Sequence, residues 1–115
     1  MLQDTGILSL VSTIASDLNK GQFGSDATPV TSADGGVLTP IAASLIALSS
    51  VTTNGRSISA KHVVNSITAN STTFAEHEVT LTDDTSFTRN IFTPFTKTSS
   101  IEVNAFTIFT IVPVN

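Results

Sequence analysis

Only one stretch of this chain carries the hydrophobic period of a helix, and the apolar residues after it alternate as they do in strands. Ile7, Leu8, Leu10, Val11, Ile14, Ala15 and Leu18 recur with a period of about 3.6 residues, which lays them along one stripe of a helix. Asp4 or Thr5 is placed to cap its start. Asn19, Lys20 and Gly21 are placed to stop it, with Lys20 at the negative end of the helix dipole. Ile7, Val11, Ile14 and Leu18 also follow alternating four- and three-residue steps, as the seam of a short coiled coil does. Two packings fit this stripe: a lid lying across a sheet, or a helix gathered with its copies around a symmetry axis.

Past the helix the punctuation changes. Residues 21–41 hold four of the six glycines and two of the four prolines, the composition of a long loop or an arm. The small polar side chains of this segment suit it to lie along a neighbouring subunit, with Phe23 as an anchor. From Ala42 onward the segments SLIALSSVT, RSISAKHVV, TTFAEHEVTL, SFTRNIF and SSIEVNAFTIFTIVPV read as strands rich in Thr, Val and Ile. Asn54-Gly55 predicts a type I′ hairpin turn between the first two, and Asp83-Asp84-Thr85 a turn between the third and fourth. The chain therefore divides into an amphipathic helix (1–20), a Gly/Pro-rich loop or arm (21–41) and a β domain (42–115). The expected fold is mainly β: an antiparallel, jelly-roll-like β-sandwich with one N-terminal α-helix.

The last strand bears on assembly. Ile101, Val103 and Ala105 alternate with Glu102 and Asn104, but from Phe106 onward both faces turn apolar, with Phe106 and Ile108 on one side and Phe109 and Ile111 on the other. A strand apolar on both faces is covered on both faces. In a domain this small the second cover is the N-terminal helix or another subunit. Overall composition points the same way. Charged residues are 12% of the chain, while Ser and Thr number 15 and 19; an ordinary soluble domain carries roughly 25% charge. A chain this neutral, with no cysteine for a disulfide staple, is expected to hide surface against copies of itself. The residues expected in packing between elements or subunits are Ile7, Val11, Ile14, Leu18, Phe23, Phe106, Ile108 and Phe109.

Several function classes are excluded. The net charge is −4 and the five basic residues, Lys20, Arg56, Lys61, Arg89 and Lys97, are scattered, so no nucleic-acid surface is expected. No apolar run approaches the roughly 18 residues of a membrane span, and the N-terminus lacks the basic region of a signal peptide. No G-x-S-x-G elbow or phosphate-binding glycine loop is present, and no catalytic residue, cofactor or metal is expected. His77 stands between Glu76 and Glu78, but on a strand the two glutamates point to one face and the histidine to the other. His62 and His77 are placed to pair across a hairpin, and three such pairs around an axis would suit a metal; solvated or interface-facing side chains are the plainer expectation. Asp83-Asp84 with Asp26 or Asp34 lacks the spacing of a calcium loop. Asn70-Ser71-Thr72 matches a glycosylation sequon.

Three patterns carry a resemblance. Asp17, Lys20, Gly21, Gln22 and Gly24 fit D-x-x-K-G-Q-x-G; Phe74, Glu76 and Glu78 fit F-x-E-x-E; Lys97, Thr98, Ser99 and Glu102 fit K-T-S-x-x-E. Across nearly its whole length the chain resembles small structural proteins of tailed phages and related viruses, of the decoration or tail-fibre type. The resemblance implies a non-enzymatic virion protein made in the host cytoplasm, a homo-oligomer with a trimer favoured, contacting other virion proteins of the capsid or tail. A short tail-fibre module that binds a host surface receptor is the alternative, and a filament-forming subunit a further one.

Overall fold

The structure, a computed structural model, describes residues 3–112; residues 1, 2 and 113–115, the ends of the predicted helix and β domain, lie outside the described residues. The chain is mainly β with one N-terminal helix and two antiparallel sheets that form a sandwich. Helix α1 spans Asp4–Asp17. Its N-cap is Gln3 rather than Asp4 or Thr5, and the Gln3 carbonyl accepts the Ile7 N–H at 2.9 Å. It stops before Asn19 because Leu18 leaves the helix to enter the core as the first residue of a strand. The Asp17 carbonyl accepts the Thr82 N–H at 3.0 Å and so ties the helix end to the sheet.

That strand, β1 (Leu18–Gly24), corrects the reading of residues 21–41 as a loop throughout. Lys20-Gly21-Gln22 has the propensity of a linker, yet it pairs on both sides, with β2 (Ile46–Ala47) and β5 (Thr73–Leu81). Tertiary pairing overrides weak local preference here. The first sheet runs β2-β1-β5-β6, with β6 spanning Ser86–Thr96. The second runs β3-β4-β7, formed by Ser50–Asn54, Ser57–Val64 and Val103–Thr110. The predicted strand SLIALSSVT is thus two strands. The Leu48 N–H bonds to Asn19 of the first sheet and the Ser49 N–H to Lys61 of the second, so the chain changes sheets between adjacent residues.

One turn and one strand end differ from expectation: the predicted strand SFTRNIF stops at Phe92, but β6 runs on to Thr96. Asn54 pairs with Ser57, so the two-residue loop is Gly55-Arg56, one step later than Asn54-Gly55. Gly55 has φ +59° while Arg56 is not among the residues with positive φ, the pattern of a type II′ turn, which asks for glycine at its first position only. Pro94 does not end β6. That strand is the sheet's edge, where a missing N–H is tolerated, and a register shift between Phe74 and Glu76 on β5 absorbs the extra residues.

The core has two apolar parts. Ile7 and Val11 of α1 bury themselves with Leu18 and Val79 of the first sheet and Ile58 and Ala60 of the second. Burying a side chain such as Ile7 contributes about 1.5–3 kcal/mol, so the Ile7–Val11 side of the helix packs as a lid on its own sandwich, while Leu8 and Leu10 of the same stripe stay exposed. Phe23, Val64 and Phe74 form the second part. Along β4 the buried residues are Ile58, Ala60, His62 and Val64; a histidine therefore separates the two apolar groups. Among the described residues no helix is long and apolar enough to cross a membrane.

Candidate functional site

The alternation of Glu76, His77 and Glu78 on β5 is as the strand period requires, but neither face meets solvent: all three side chains are buried. The glutamates face residues 25–40, the part of the predicted arm that does form a loop. Glu76 accepts backbone N–H groups from Leu38 at 2.6 Å, Asp26 at 2.9 Å and Thr39 at 3.0 Å, and the Nε–H of Arg89 at 2.9 Å. Arg89 also donates through Nη1 to the Thr28 carbonyl and the Asp34 carboxylate, both at 3.1 Å, and through Nη2 to the Asp26 carbonyl at 3.2 Å. Glu78 accepts the Val37 N–H at 3.3 Å. The arm is thus fastened to the outer face of its own sheet, and Phe23 is core rather than an anchor for a neighbour.

Burial acts to raise the Glu76 pKa, but the Thr39 and Leu38 amides, Arg89 and the Asp26 amide outweigh it and hold the carboxyl below its ordinary value. Every polar atom of this pair is engaged with the arm or with its partner, so the arrangement positions backbone and leaves no free acid or base.

His77 points the other way, into the sandwich. Its Nε2 lies 2.9 Å from Nδ1 of His62, and Nε2 of His62 lies 2.9 Å from the Ser44 carbonyl. The pairing joins β5 to β4 across the two sheets, not across a hairpin, and the rings are buried rather than solvated. Phe23 packs against both, with centroid distances of 5.2 Å to His62 and 4.6 Å to His77. Burial lowers the His62 pKa to about 4, against a raising effect of the Ser44 carbonyl; burial and then the charge of His62 lower that of His77 to about 3. Both rings are neutral near pH 7.

The close packing of β1 on these groups explains two glycines of the K-G-Q-F-G run. A Cβ at position 21 would lie 2.8 Å from the Cβ of His62 and closer still to its ring, and one at position 24 would lie 2.7 Å from Cγ of Glu76. Gly21→Ala is expected to destabilise the protein by about 1–3 kcal/mol through overpacking. Gly35→Ala, where a Cβ meets nothing within 4 Å, serves as the neutral control in the same urea titration.

Of the remaining sequence candidates, Ile7, Val11, Leu18 and Phe23 are buried within the protomer, and Ile14 packs half-buried on the same core. Phe109 is half-buried against Phe87, with ring centroids 5.0 Å apart. Phe106 and Ile108 stand out from the second sheet, 61% and 68% exposed. They lie opposite Lys61 and Ser59 of β4, and the Lys61 ammonium sits 5.7 Å from the Phe106 ring centre. The helix does not cover them. Asp83 caps the Thr85 N–H, Asp26 the Thr28 N–H, and Asp34 binds Arg89, so the aspartates do not converge. Among the described residues no group of three or more His, Cys, Asp or Glu side chains is placed to hold a metal ion. Asn70 of the sequon is engaged through both side-chain atoms, to the Ser66 carbonyl and to Nζ of the buried Lys97 at 2.7 Å.

Sequence reasoning missed Arg89 and the cavity. Arg89 was within reach, because a turn at 83–85 places it opposite Glu78. Phe92, the last residue of the predicted strand SFTRNIF, and Phe95 beyond it both belong to β6 and line a cavity of about 370 Å3 between β6 and β7. Comparison with known proteins gave no match to a family model, a curated protein or a solved structure.

Proposed function

We propose that this chain is a non-enzymatic structural subunit that self-associates on the surface of a virus particle, as capsid decoration or as part of a tail. The observation that carries the reading is the bare apolar stretch of β7. Phe106 and Ile108 project from a strand whose second edge has no partner among the described residues. An exposed apolar edge is a template for association, which a monomer ordinarily blunts with charge. This sheet places only Lys61 beside it. The low charge of the whole chain and the likeness of its three patterns to phage structural proteins support the same reading. A trimer is the favoured state, and capsid or tail proteins are the further partners.

The test is native mass by light scattering. The wild-type chain should run as a sharp multiple of 12.0 kDa, and Ile108→Asp should run as a folded monomer, since an exposed side chain can be replaced without opening the core. A wild-type monomer, or an Ile108→Asp variant with unchanged mass, would count against β7 as the contact. Electron microscopy of the same sample separates a closed oligomer from a filament.

A further inference from the structure

We propose that the cavity between β6 and β7 binds a small, neutral, flat aromatic molecule with one hydrogen-bond donor, of the phenol or indole kind, its donor resting on Nδ1 of His77. The argument begins at Ser44. A carbonyl oxygen only accepts, so the proton at that end sits on Nε2 of His62. His62 is fully buried and neutral, so its Nδ1 carries a lone pair. The atom 2.9 Å away, Nε2 of His77, must then be the donor. Neutral His77 in turn has its lone pair on Nδ1. The two tautomers are fixed by one backbone carbonyl, and the hydrogen bonds run in one direction through the sandwich.

Among the described residues Nδ1 of His77 has no hydrogen-bond partner, although the residue is only 5% exposed. The one sealed side-chain polar atom lacking a partner among the described residues is Thr88 Oγ1, so Nδ1 is not sealed. The opening available to it is the cavity that His77 lines. An imidazole that donates from one nitrogen accepts more strongly at the other. The cavity, an open cleft, thus offers one good acceptor among the rings of Phe23, Phe92, Phe95 and the exposed Phe106, with Asn90 and Asn104 also in its lining.

This geometry specifies the ligand. At Nδ1 a carbonyl or carboxylate would set lone pair against lone pair, so the ligand group that meets this nitrogen must bring a donor. No charged side chain lines the cavity, so the ligand is neutral. A cavity of roughly 150 Å3 holds benzene; one of about 370 Å3 has room for two fused rings, and phenylalanine walls favour a ring that stacks. A metal ion would need further donors, and beside His77 the lining supplies only the amides of Asn90 and Asn104 and the Thr107 hydroxyl.

The experiment titrates the wild-type chain with 2-naphthol and with 2-methoxynaphthalene, which has the same rings and no donor. Calorimetry reads affinity, and nitrogen-15 imidazole spectra read the histidines. The expected result is saturable one-to-one binding of 2-naphthol, about ten-fold tighter than the ether, as one well-made hydrogen bond in an apolar site provides. The Nδ1 resonance of His77 should move, and those of His62 should move less. Asn90→Trp, a change at an exposed residue, should fill the cavity and abolish binding in a folded protein. Equal affinity for the two compounds, no saturable binding, unaffected binding by the Asn90→Trp variant, or a stationary His77 signal would each overturn the proposal. Phe106 lines this cavity and also belongs to the proposed contact between copies, so the titration is repeated on the Ile108→Asp variant, whose changed residue lies outside the cavity; binding retained there separates the ligand site from self-association.

Discussion

At pH 5 the protein is expected to be about 4 kcal/mol less stable than at pH 7.5, and the loss should trace to His62 and His77. Each ring has an ordinary pKa of 6.5 when the chain is unfolded, and in the fold the values fall to about 4 and about 3. Between pH 6.5 and pH 5 the unfolded chain therefore takes up a proton at each ring while the native state takes up neither. Stability falls in that window by about 1.4 kcal/mol per pH unit for each histidine. The sign is that of buried bases: stability is full above pH 6.5 and declines as pH drops toward the folded values. Glu76 acts lower on the scale. Its folded pKa is depressed below 4.5, so its contribution holds above that value and is lost only as pH falls through the folded one. The interval from pH 6.5 to 5 consequently belongs to the imidazoles. Urea unfolding at half-unit steps measures it directly. A stability that stays flat across the interval would mean that the rings are protonated or solvated in the native protein.

Arg89→Met should cost about 3–5 kcal/mol, because it leaves the Glu76 carboxylate buried without its countercharge. This change acts on one place. Arg89 holds the carbonyls of Asp26 and Thr28 and the side chain of Asp34, so the arm over residues 25–40 should loosen first. Hydrogen exchange at the Leu38 and Thr39 amides, both donors to Glu76, should rise well before the strands exchange. Replacing both partners, as Glu76→Gln with Arg89→Met, should recover part of the loss, since the uncompensated charge is gone. A single variant within about 1 kcal/mol of wild type, with both amides still protected, would show that the pair sits on the surface energetically if not geometrically.

The helix, β4 and β5 were legible because their side chains obey one period over many residues: the stripe from Ile7 to Leu18, and the inward row Ile58, Ala60, His62, Val64. Strand parity also placed Glu76 and Glu78 opposite His77. β1 was not legible. Its glycines are required by what lies above them, the ring of His62 and the carboxylate of Glu76, and such reasons are invisible along the chain. The same holds for Pro94, which reads as a stop until β6 is known to be an edge. Hidden too was the destination of the glutamates. A carboxylate on the outer face of a strand looks solvated unless an arm 37 to 50 positions away returns to cover it. The three patterns that suggested phage proteins turn out to hold fold contacts: Gly21 against His62, Gly24 against Glu76, and Lys97 against Asn70.

The fastened arm gives the sandwich a dressed side and a bare side. Glu76 and Arg89 close the outer face of the first sheet with the chain's own backbone, while Phe106 and Ile108 stand open on the outer face of the second. A subunit built this way has an up and a down. Under the proposed self-association the copies meet through the bare side and turn the arm outward, so an assembly of this kind would offer no second apolar face and would close at a single layer.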